Sequence, residues 1–255
     1  MYRKFTSSKK RNMYLIIDVG NTRVKMAVFE IDTIKEVFIF EKVNIVLELK
    51  KIISKFSISN SIISSVANLT EEEKQKIAEL LNPVFLDSNT KVPFENLYKT
   101  PKTLGVDRIA LASAAINIFP NKNVLVLDAG TCITYDFITN EGEYLGGAIS
   151  PGVAMRYKAL HTFTSKLPLL EMEEVENFIG VDTKSSIHSG VINGVSNEIG
   201  GIIAQYQKKY PDLTVVLTGG DTYFLSKQLK SVIFAHPNFV LEGLHTILIH
   251  NLAND

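Results

Sequence analysis

The stretch Tyr14–Lys25, which reads YLIIDVGNTRVK, decides the fold. Its apolar, strand-forming run Leu15–Ile17 ends in Asp18, breaks at a glycine flanked by short polar residues, and resumes as the strand-forming run Val24–Phe29. A strand that meets such a break and then continues as a strand is typical of a hairpin with a polar tip. Because glycine has no Cβ, the backbone at Gly20 can approach a bulky anion closely.

The side chains of this tip suit a phosphate group and its metal ion. Asn21 and Thr22 carry hydrogen-bond donors, Lys25 carries a positive charge, and Asp18 carries a carboxylate that can hold a hydrated divalent cation. A phosphate-binding loop is therefore one interpretation. An ordinary hairpin tip with Asp and Asn in turn positions is the other, and the stretch by itself leaves both open.

A second stretch of the same kind lies in the other half of the chain. Residues 124–137 read VLVLDAGTCITYDF, which is again an apolar strand ending in an aspartate, Asp128, followed by a Gly130-Thr131 turn and a resumed strand-forming run. Two such tips predict a duplicated module whose tips face each other across a cleft.

Length and composition narrow the class of protein. The 255 residues suit one large domain or two of about 125 residues. A hydrophobic content of 45%, a charged content of 21% and a net charge of zero are ordinary for a globular protein, and we expect no nucleic-acid partner. The single cysteine, Cys132, excludes an internal disulfide and a multi-cysteine zinc site, and we interpret it as a small buried side chain. No apolar run approaches the roughly 20 residues that span a bilayer, so we expect a cytoplasmic protein without a membrane partner.

The first residues differ in character from the rest. Met1–Asn12 is polar and basic and lacks the apolar centre of a secretory signal. We expect residues 1–12 to be a disordered extension, or to precede a start at Met13; a transit-like or nucleic-acid-contacting arm is the alternative. We place an N-terminal domain at 13–120 and a C-terminal domain at 121–255, because Pro120 and Asn121 interrupt the chain.

The order of predicted elements repeats in the two halves. In the first half, a strand at Lys35–Phe40 follows the hairpin, and the spacing of Leu49, Ile52, Ile53 and Phe56 predicts a helix. A strand at Ser61–Val66, a helix opened by a Thr70/Glu73 capping box, and a strand at Val84–Leu86 complete it. Residues 87–104 are irregular, a property often linked to function, and lead into a helix at Arg108–Phe119.

The second half contains strands at Val124–Asp128, Cys132–Ile138 and Tyr144–Ile149. Pro151 is placed in the first turn of a helix that runs through Leu160, and residues 168–181 are read as an acidic surface loop. A long helix at Lys184–Tyr210, a strand at Thr214–Leu217, a short strand at Ile233–Phe234 and a helix at Leu241–Asn251 follow. The common nucleotide and hydrolase motifs G-x-x-x-x-G-K-[ST], G-x-G-x-x-G and G-x-S-x-G are absent, and the histidines lack metal-ligand spacing.

Four motifs, in order, resemble the signature set of type III pantothenate kinases. They are Asp-Val-Gly-Asn-Thr at 18–22, Gly-Val-Asp-Arg at 105–108, Asp-Ala-Gly-Thr at 128–131 and Gly-Gly-Ala-Ile-Ser-Pro-Gly at 146–152. The first motif alone would be weak evidence, whereas the four together are specific. The resemblance extends from about Met13 to the C-terminus, and Cys132 departs from the alanine more often expected there.

The resemblance implies an α/β fold of two ribonuclease-H-like, actin-like ATPase domains. Each would follow a duplicated βββαβαβα order, with a cleft between the two. It further implies a homodimer that uses ATP, Mg²⁺ and a monovalent cation, K⁺ or NH₄⁺, to phosphorylate the primary hydroxyl of pantothenate, the first step of coenzyme A biosynthesis.

The resemblance also assigns roles to residues. Asp18, Val19, Gly20, Asn21, Thr22, Arg23, Val24 and Lys25 would form the first ATP phosphate loop, with Thr131 as a second phosphate contact. Asp128 would hold the monovalent cation, and Asp18 would hold Mg²⁺ through water. Tyr98, Gly105, Val106, Asp107, Arg108 and Thr183 would contact pantothenate. Asp107 would be the general base, and Arg108 could bind the substrate carboxylate through both arms of its guanidinium.

Each of these residues has a plainer interpretation by sequence alone. Asp107 stands where a helix N-cap would, Thr183 could cap the long helix, and Tyr98 could be an ordinary loop aromatic. The pair Gly219-Gly220, which the resemblance places near the adenosine, could be a tight turn. Two competing functions also stay open. One is a nucleotide-binding transcription accessory factor without turnover, and the other is a different small-molecule kinase or phosphatase of the same superfamily.

Overall fold

The computed structural model describes residues 12–21, 23–66, 69–175, 177–229 and 233–254. The predicted extension at 1–12 lies outside them except for Asn12. The chain forms two compact units: one comprises the described residues of Met1–Lys91 and Leu244–Asp255, and the other those of Val92–Gly243. Within the described residues, no helix has the length and apolar character needed to cross a membrane.

The first unit is a five-stranded mixed sheet with two helices between its strands. The hairpin strands β1 and β2 are antiparallel, as are β2 and β3, whereas β1 runs parallel to β4 and β4 to β5. The strand order across the sheet is β3-β2-β1-β4-β5. The strands are β1 Met13–Val19, β2 Arg23–Glu30, β3 Thr33–Glu41, β4 Asn60–Ser65 and β5 Val84–Phe85, and the helices are α1 Ile45–Lys55 and α2 Glu71–Leu81.

The second unit repeats that arrangement with one added edge strand. Its order is β11-β10-β7-β8-β9-β6, so β7, β8, β9, β10 and β11 stand in the same order as β1 to β5, and β6 pairs with β9. The strands are β6 Glu95–Asn96, β7 Val124–Ala129, β8 Cys132–Ile138, β9 Glu143–Pro151, β10 Thr214–Thr218 and β11 Phe234–Ala235. The helices are α3 Val106–Ile118, α4 Val153–Thr162, α5 Thr183–Lys209, α6 Thr222–Gln228 and α7 Phe239–Asn254. The predicted duplication and α/β class are confirmed.

Apolar residues are buried on both faces of each sheet, and those on one face form a cluster with helices of the same unit. In the first unit Leu15, Ile17 and Val19 alternate along β1 and pack against Leu49 and Ile52 of α1. Each side chain of this kind contributes about 1.5–3 kcal/mol when fully buried. The core of the second unit is built the same way, from β7, β8 and β10 against α4, α5 and α6.

The start of α2 agrees with the sequence prediction, whereas the start of α5 differs from it. Thr70 and Glu73 form the predicted capping box of α2. The cap of α5 is Asp182, which forms a capping box with Ser185, so the interpretation of Thr183 as the cap is wrong. A carboxylate with a hydroxyl partner three residues later satisfies the first N–H groups, and Thr183 becomes the first helical residue.

Pro151 is the last residue of β9 and not the first of a helix, which corrects the prediction. It pairs with Cys132 in the sheet, and α4 begins at Val153 after the N-cap Gly152. The N–H of Gly152 donates to Thr131 O at 3.1 Å, and a Cβ on Gly152 would collide with Gly130 O. This close approach keeps the strand paired through Pro151.

The division into units differs from the predicted domain boundary at 120/121. The helix α3 packs on β8 and β7 and therefore belongs to the second unit. A Cβ on Gly243 in α7 would collide with Ala110 O of α3, so these helices are in backbone contact there. The residues that follow in α7, from Leu244 onward, belong to the first unit. The local sequence at residues 120 and 121 does not indicate how these distant segments pack.

The burial of His245 in α7 should make the stability of the fold depend on pH. His245 is 5% exposed and stacks on Phe29, with ring centroids 4.3 Å apart, while Tyr14 lies 5.6 Å away. Burial lowers the pKa of His245 below its ordinary value, and Asp32 opposes the shift in part. The unfolded chain therefore binds more protons than the folded one below an unfolded pKa of about 6.5.

We expect the free energy of unfolding to fall as pH drops below about 6.5, and expect His245→Phe to remove that part of the slope. Urea unfolding curves from pH 8 to 5 measure it. The two proteins are compared first at pH 8, where the histidine is neutral in both states and any difference reflects packing alone. An equal pH slope in both proteins would contradict the assignment.

Candidate active site

The tip between β1 and β2 is a tight hairpin with exposed polar groups. The N–H of Gly20 donates to Arg23 O at 3.0 Å, and a Cβ on Gly20 would lie 3.0 Å from that oxygen, so the turn leaves little room for a side chain. Asn21 and Arg23 are exposed. Thr22 lies outside the described residues. The tip thus presents an amide and a guanidinium at a glycine turn, which are groups that bind phosphate oxygens.

The carboxylate of Asp18 is held at the end of β1. Ser64, its partner in the neighbouring parallel strand β4, donates a hydrogen bond from Oγ to Asp18 Oδ1 at 2.9 Å. Lys25 is the partner of Asp18 in β2. The side chains of Val19 and Val24 are fully buried, so these two predicted ATP contacts could contribute only backbone groups.

The second predicted tip, between β7 and β8, has the same form. The N–H of Gly130 donates to Cys132 O at 2.9 Å, and Thr131 O accepts from the N–H of Gly152 at 3.1 Å. The side chain of Thr131 is exposed and available to a ligand. The half-buried Asp128 is the next-to-last residue of β7, two residues before Gly130.

A glycine loop after β10 closes around Asp128. Gly219 has φ +96°, and a Cβ there would collide with Asp128 Oδ1 and with Ala129 O. Only glycine combines this left-handed backbone with so close an approach. The N–H of Asp221 donates to Ala129 O at 2.9 Å, and burial raises the pKa of Asp221 above its ordinary value. Carboxylate and carbonyl oxygens therefore crowd together here.

The N-terminal turn of α3 carries Asp107. The N-cap of this helix is Gly105, Val106 is its first residue and Asp107 its second, so the interpretation of Asp107 as an N-cap is wrong. Its Oδ1 accepts a hydrogen bond from the N–H of Arg108 at 2.8 Å. A Cβ on Gly105 would collide with that same oxygen, so the carboxylate folds back over the glycine.

Arg108 is buried in an ion pair that the sequence did not predict. Its Nε donates to Asp136 Oδ1 at 2.7 Å, and the two side chains are 7% and 0% exposed. Asp136 also accepts from Tyr144 Oη at 2.7 Å and from Thr134 Oγ1 at 2.8 Å. Arg108 Nη2 is buried without a hydrogen-bond partner in the described part of the chain.

Burial and the partner charge act in opposite directions on the pKa of each member of the pair. Burial acts to lower the pKa of Arg108, but the charge of Asp136 and the groups around it outweigh burial, and the pKa of Arg108 is raised. Burial raises the pKa of Asp136, and Arg108 and the two hydroxyl donors oppose that shift. An arginine keeps its proton in proteins, so the carboxylate always faces a cation.

Tyr98 packs over this pair. Its ring centroid lies 5.7 Å from Arg108 Cζ and 6.2 Å from the ring of Tyr144. Gly146, with φ +102°, leaves room for the ring, because a Cβ there would lie 3.0 Å from Tyr98 Cδ2. The structure thus brings Tyr98 and the Gly105–Arg108 turn together at one place in the second unit.

Asp136 and Tyr144 also belong to this cluster around Tyr98 and Arg108, and the sequence analysis did not identify them. A signal was present: the β8 sequence CITYDFI contains one carboxylate in an otherwise uncharged strand. A charge in a buried strand requires a partner. The partner Arg108 is 28 residues away, so the sequence alone could not name it.

Thr183 lies at the first turn of α5 and lines a different groove. That groove has a volume of about 900 Å³ and is lined mainly by apolar residues of α4, α5 and the chain between them, including Ala159, Leu160, Phe163 and Ile187. Thr183 itself is exposed. Of the predicted pantothenate contacts, it is the one that the structure does not bring to the Tyr98–Arg108 cluster.

Comparison with known proteins identifies the family. The family model for type III pantothenate kinase matches residues 14–205. The curated type III pantothenate kinase of Flavobacterium johnsoniae is 46% identical over 244 residues, which cover 95% of this chain and 100% of that protein. That of Christiangramia forsetii is 48% identical over 240 residues, covering 94% and 99%.

Solved structures share the fold at lower identity. A conserved protein from Campylobacter jejuni, described as a Baf family transcriptional activator, matches with a TM-score of 0.63 at 22% identity over 94% of this chain and 99% of its own. A ROK family protein from Streptococcus pneumoniae matches with a TM-score of 0.54 at 12% identity over 95% and 100%. Such likeness supports two ribonuclease-H-like units, as the repeated strand order does. On the sequence evidence, the chain belongs to the type III pantothenate kinase family.

Proposed function

We propose that this protein phosphorylates the primary hydroxyl of pantothenate with ATP, the first step of coenzyme A biosynthesis. The observation that carries the proposal is the identity of 46–48% with curated type III pantothenate kinases over nearly the whole chain. The placement of Asp107 and Tyr98 in one cluster supports it further, since an acceptor site needs an oriented base beside a binding surface.

For the nucleotide, we propose that the β1–β2 tip and Thr131 contact the phosphates. The exposed groups of Asn21 and Arg23, the backbone at Gly20 and the exposed Thr131 hydroxyl support this role. Lys25 would add positive charge. Phosphoryl transfer needs in-line positioning and charge neutralisation more than covalent participation of the protein, so donors of this kind are what the reaction requires.

For the cations, we propose that Asp128 holds a monovalent cation, K⁺ or NH₄⁺, and that Asp18 holds Mg²⁺ through water. The donor sets fit: around Asp128, carboxylate and carbonyl oxygens gather in a space that a Cβ on Gly219 would fill. Among the described residues no three His, Cys, Asp or Glu side chains converge as a metal site. Mg²⁺ is usually held by one or two carboxylates together with water and substrate phosphates, and the carboxylate of Asp18 would supply one of them. When bound, the cations would neutralise charge on the triphosphate.

For the acceptor, we propose contacts from Tyr98, Gly105, Val106 and Arg108, and from Thr183. Because Arg108 Nε is already bonded to Asp136, the end of the guanidinium that bears Nη2 is the part left to bind the pantothenate carboxylate. We therefore propose that this end of the guanidinium, and not both of its arms, would bind the carboxylate. For Thr183 to contact pantothenate, the apolar groove on α4 and α5 that it lines would have to adjoin an acceptor site.

We propose Asp107 as the general base. Its carboxylate would orient the pantothenate hydroxyl and accept its proton as the oxygen forms a bond to the γ-phosphorus. The bond between that phosphorus and the bridging oxygen of ADP breaks in the same step, and ADP leaves with the electron pair. Proton transfer to a positioned carboxylate contributes typically about 10²–10⁴-fold to the rate.

We further propose that the protein is a homodimer and acts in the cytoplasm. Light scattering would test the homodimer, and cell fractionation would test the location.

An ADP-release assay tests the proposal. We expect turnover that requires ATP, Mg²⁺ and pantothenate, is raised by K⁺ over Na⁺ at equal ionic strength, and is absent with other small hydroxy acids. Turnover with a different hydroxy acid would instead indicate another kinase of the superfamily. No turnover with any acceptor, together with a DNA mobility shift at physiological salt, would favour the transcription accessory factor.

A further inference from the structure

Asp136 is buried on the face of β8 opposite to the one that packs against α5. Side chains alternate along a strand, so Thr134 and Asp136 share one face, while Tyr135 and Phe137 pack in the core with α5. The helix α3 packs on β8, and the pair between Arg108 and Asp136 joins them. Asp136 is therefore a fully buried carboxylate at the back of the Tyr98–Arg108 cluster.

Stability alone does not explain this carboxylate. Replacing a buried ion pair by apolar residues of similar volume is often neutral or stabilising, because desolvation offsets much of the attraction. What the ion pair does provide is a fixed orientation of its two side chains. Three donors from α3, β8 and β9 converge on the two oxygens of Asp136, and this fixes both the carboxylate and the guanidinium plane of Arg108.

Fixing Arg108 also fixes the groups around it. The guanidinium carbon lies 5.7 Å from the Tyr98 ring centroid and 6.0 Å from that of Tyr144. The neighbouring residue, Asp107, lies in the same first turn of α3. A guanidinium that could rotate would release Tyr98 and loosen the turn that carries Asp107.

We propose that Asp136 is a positioning residue for the acceptor half of the site. It acts through Arg108, with the hydroxyls of Tyr144 and Thr134 orienting its carboxylate. This proposal rests on the proposed function, because the group that Arg108 would meet is the anionic end of pantothenate. Nothing in it requires Asp136 to contact substrate.

The Tyr144→Phe variant tests it, with Tyr135→Phe as a matched control. Both remove the hydroxyl of a buried tyrosine that donates to a carboxylate: Tyr144 donates to Asp136 at 2.7 Å, and Tyr135 donates to Glu198 at 3.1 Å on the opposite face of the sheet. Losing a hydrogen bond to a charged group typically changes an equilibrium by about tenfold or more. We expect Tyr144→Phe to raise the pantothenate KM about tenfold, with the ATP KM unchanged, and Tyr135→Phe to change neither.

A purely structural role would lower the melting temperature of Tyr144→Phe without moving the pantothenate KM of the folded enzyme, and that result would overturn the proposal. Thr134→Val, which removes the other hydroxyl donor, is the second variant should Tyr144→Phe fail to fold. It should raise the same KM and leave that of ATP unchanged.

A second readout does not depend on turnover. The Nε–H proton of Arg108 should exchange slowly with water in the wild type and in Tyr135→Phe, and about tenfold faster or more in Tyr144→Phe. NMR of arginine Nε–H groups measures it. If the wild type shows no pantothenate turnover, the proposed function fails, while the exchange rates still decide the positioning role. Equal exchange in all three proteins would overturn it.

Discussion

Asp107→Asn is expected to lower kcat by about 10²–10⁴-fold, because asparagine cannot accept the proton of the attacking hydroxyl. The amide has nearly the same shape as the carboxylate and can keep the hydrogen bond that Oδ1 accepts from the N–H of Arg108. The first turn of α3 should therefore stay intact, and the KM values for ATP and pantothenate should change little. The loss would lie in the chemical step.

The experiment compares initial rates of ADP release with melting temperatures for wild type, Asp107→Asn and a control. Glu141→Gln is the control, since it makes the same change of charge at an exposed turn between β8 and β9. It should keep full activity. Normal turnover in Asp107→Asn would show that another group, or water, takes the proton, and the general-base assignment would be lost.

Gly105→Ala is expected to lower kcat by about 10²-fold while leaving the fold stable, because small misplacements of a reacting group have effects of that size. The backbone of Gly105 has φ −59° and ψ 137°, which alanine adopts freely. The added Cβ would collide with Asp107 Oδ1, the end of a movable side chain, so the carboxylate and not the helix must shift.

A glycine in the same unit provides the contrast. Gly201 lies in α5, and a Cβ there meets nothing within 4 Å. Gly201→Ala should keep activity and gain stability slightly, because alanine favours the helix by about 1 kcal/mol. Melting temperatures and kcat measured on both variants distinguish a displaced carboxylate from a general effect of replacing glycine by alanine. A Gly105→Ala protein with wild-type kcat would show that the carboxylate position seen over Gly105 is unimportant for catalysis.

Much of the candidate site could be predicted from local sequence. The glycine and short polar residues after β1 and β7 predict hairpin tips, because their backbone and hydrogen-bonding preferences act within a few residues. The motif Gly105–Arg108 marks Asp107 as a candidate, but local sequence does not give its position in the helix. The difference is one of hydrogen bonding: Gly105 takes the N-cap, and the Asp107 carboxylate bonds to the next N–H.

The rest depended on contacts between distant residues. Arg108 looked like an accessible guanidinium for a carboxylate ligand, but folding buries it against Asp136, 28 residues later. Thr183 is a pantothenate contact by resemblance, and the structure places it at the start of α5, where it lines an apolar groove. No local pattern encodes either outcome.

Local sequence is enough to establish the α/β class, the repeated strand order and the motifs of the family, since strand alternation, turns and caps are local properties of the chain. Three features follow only from the folded structure: the charge that faces Arg108, the packing of α3 with the second unit, and the stacking of His245 on Phe29. The reason is physical: the free energy of a buried charge or ring depends on the groups that surround it, and those groups come together only when distant segments pack.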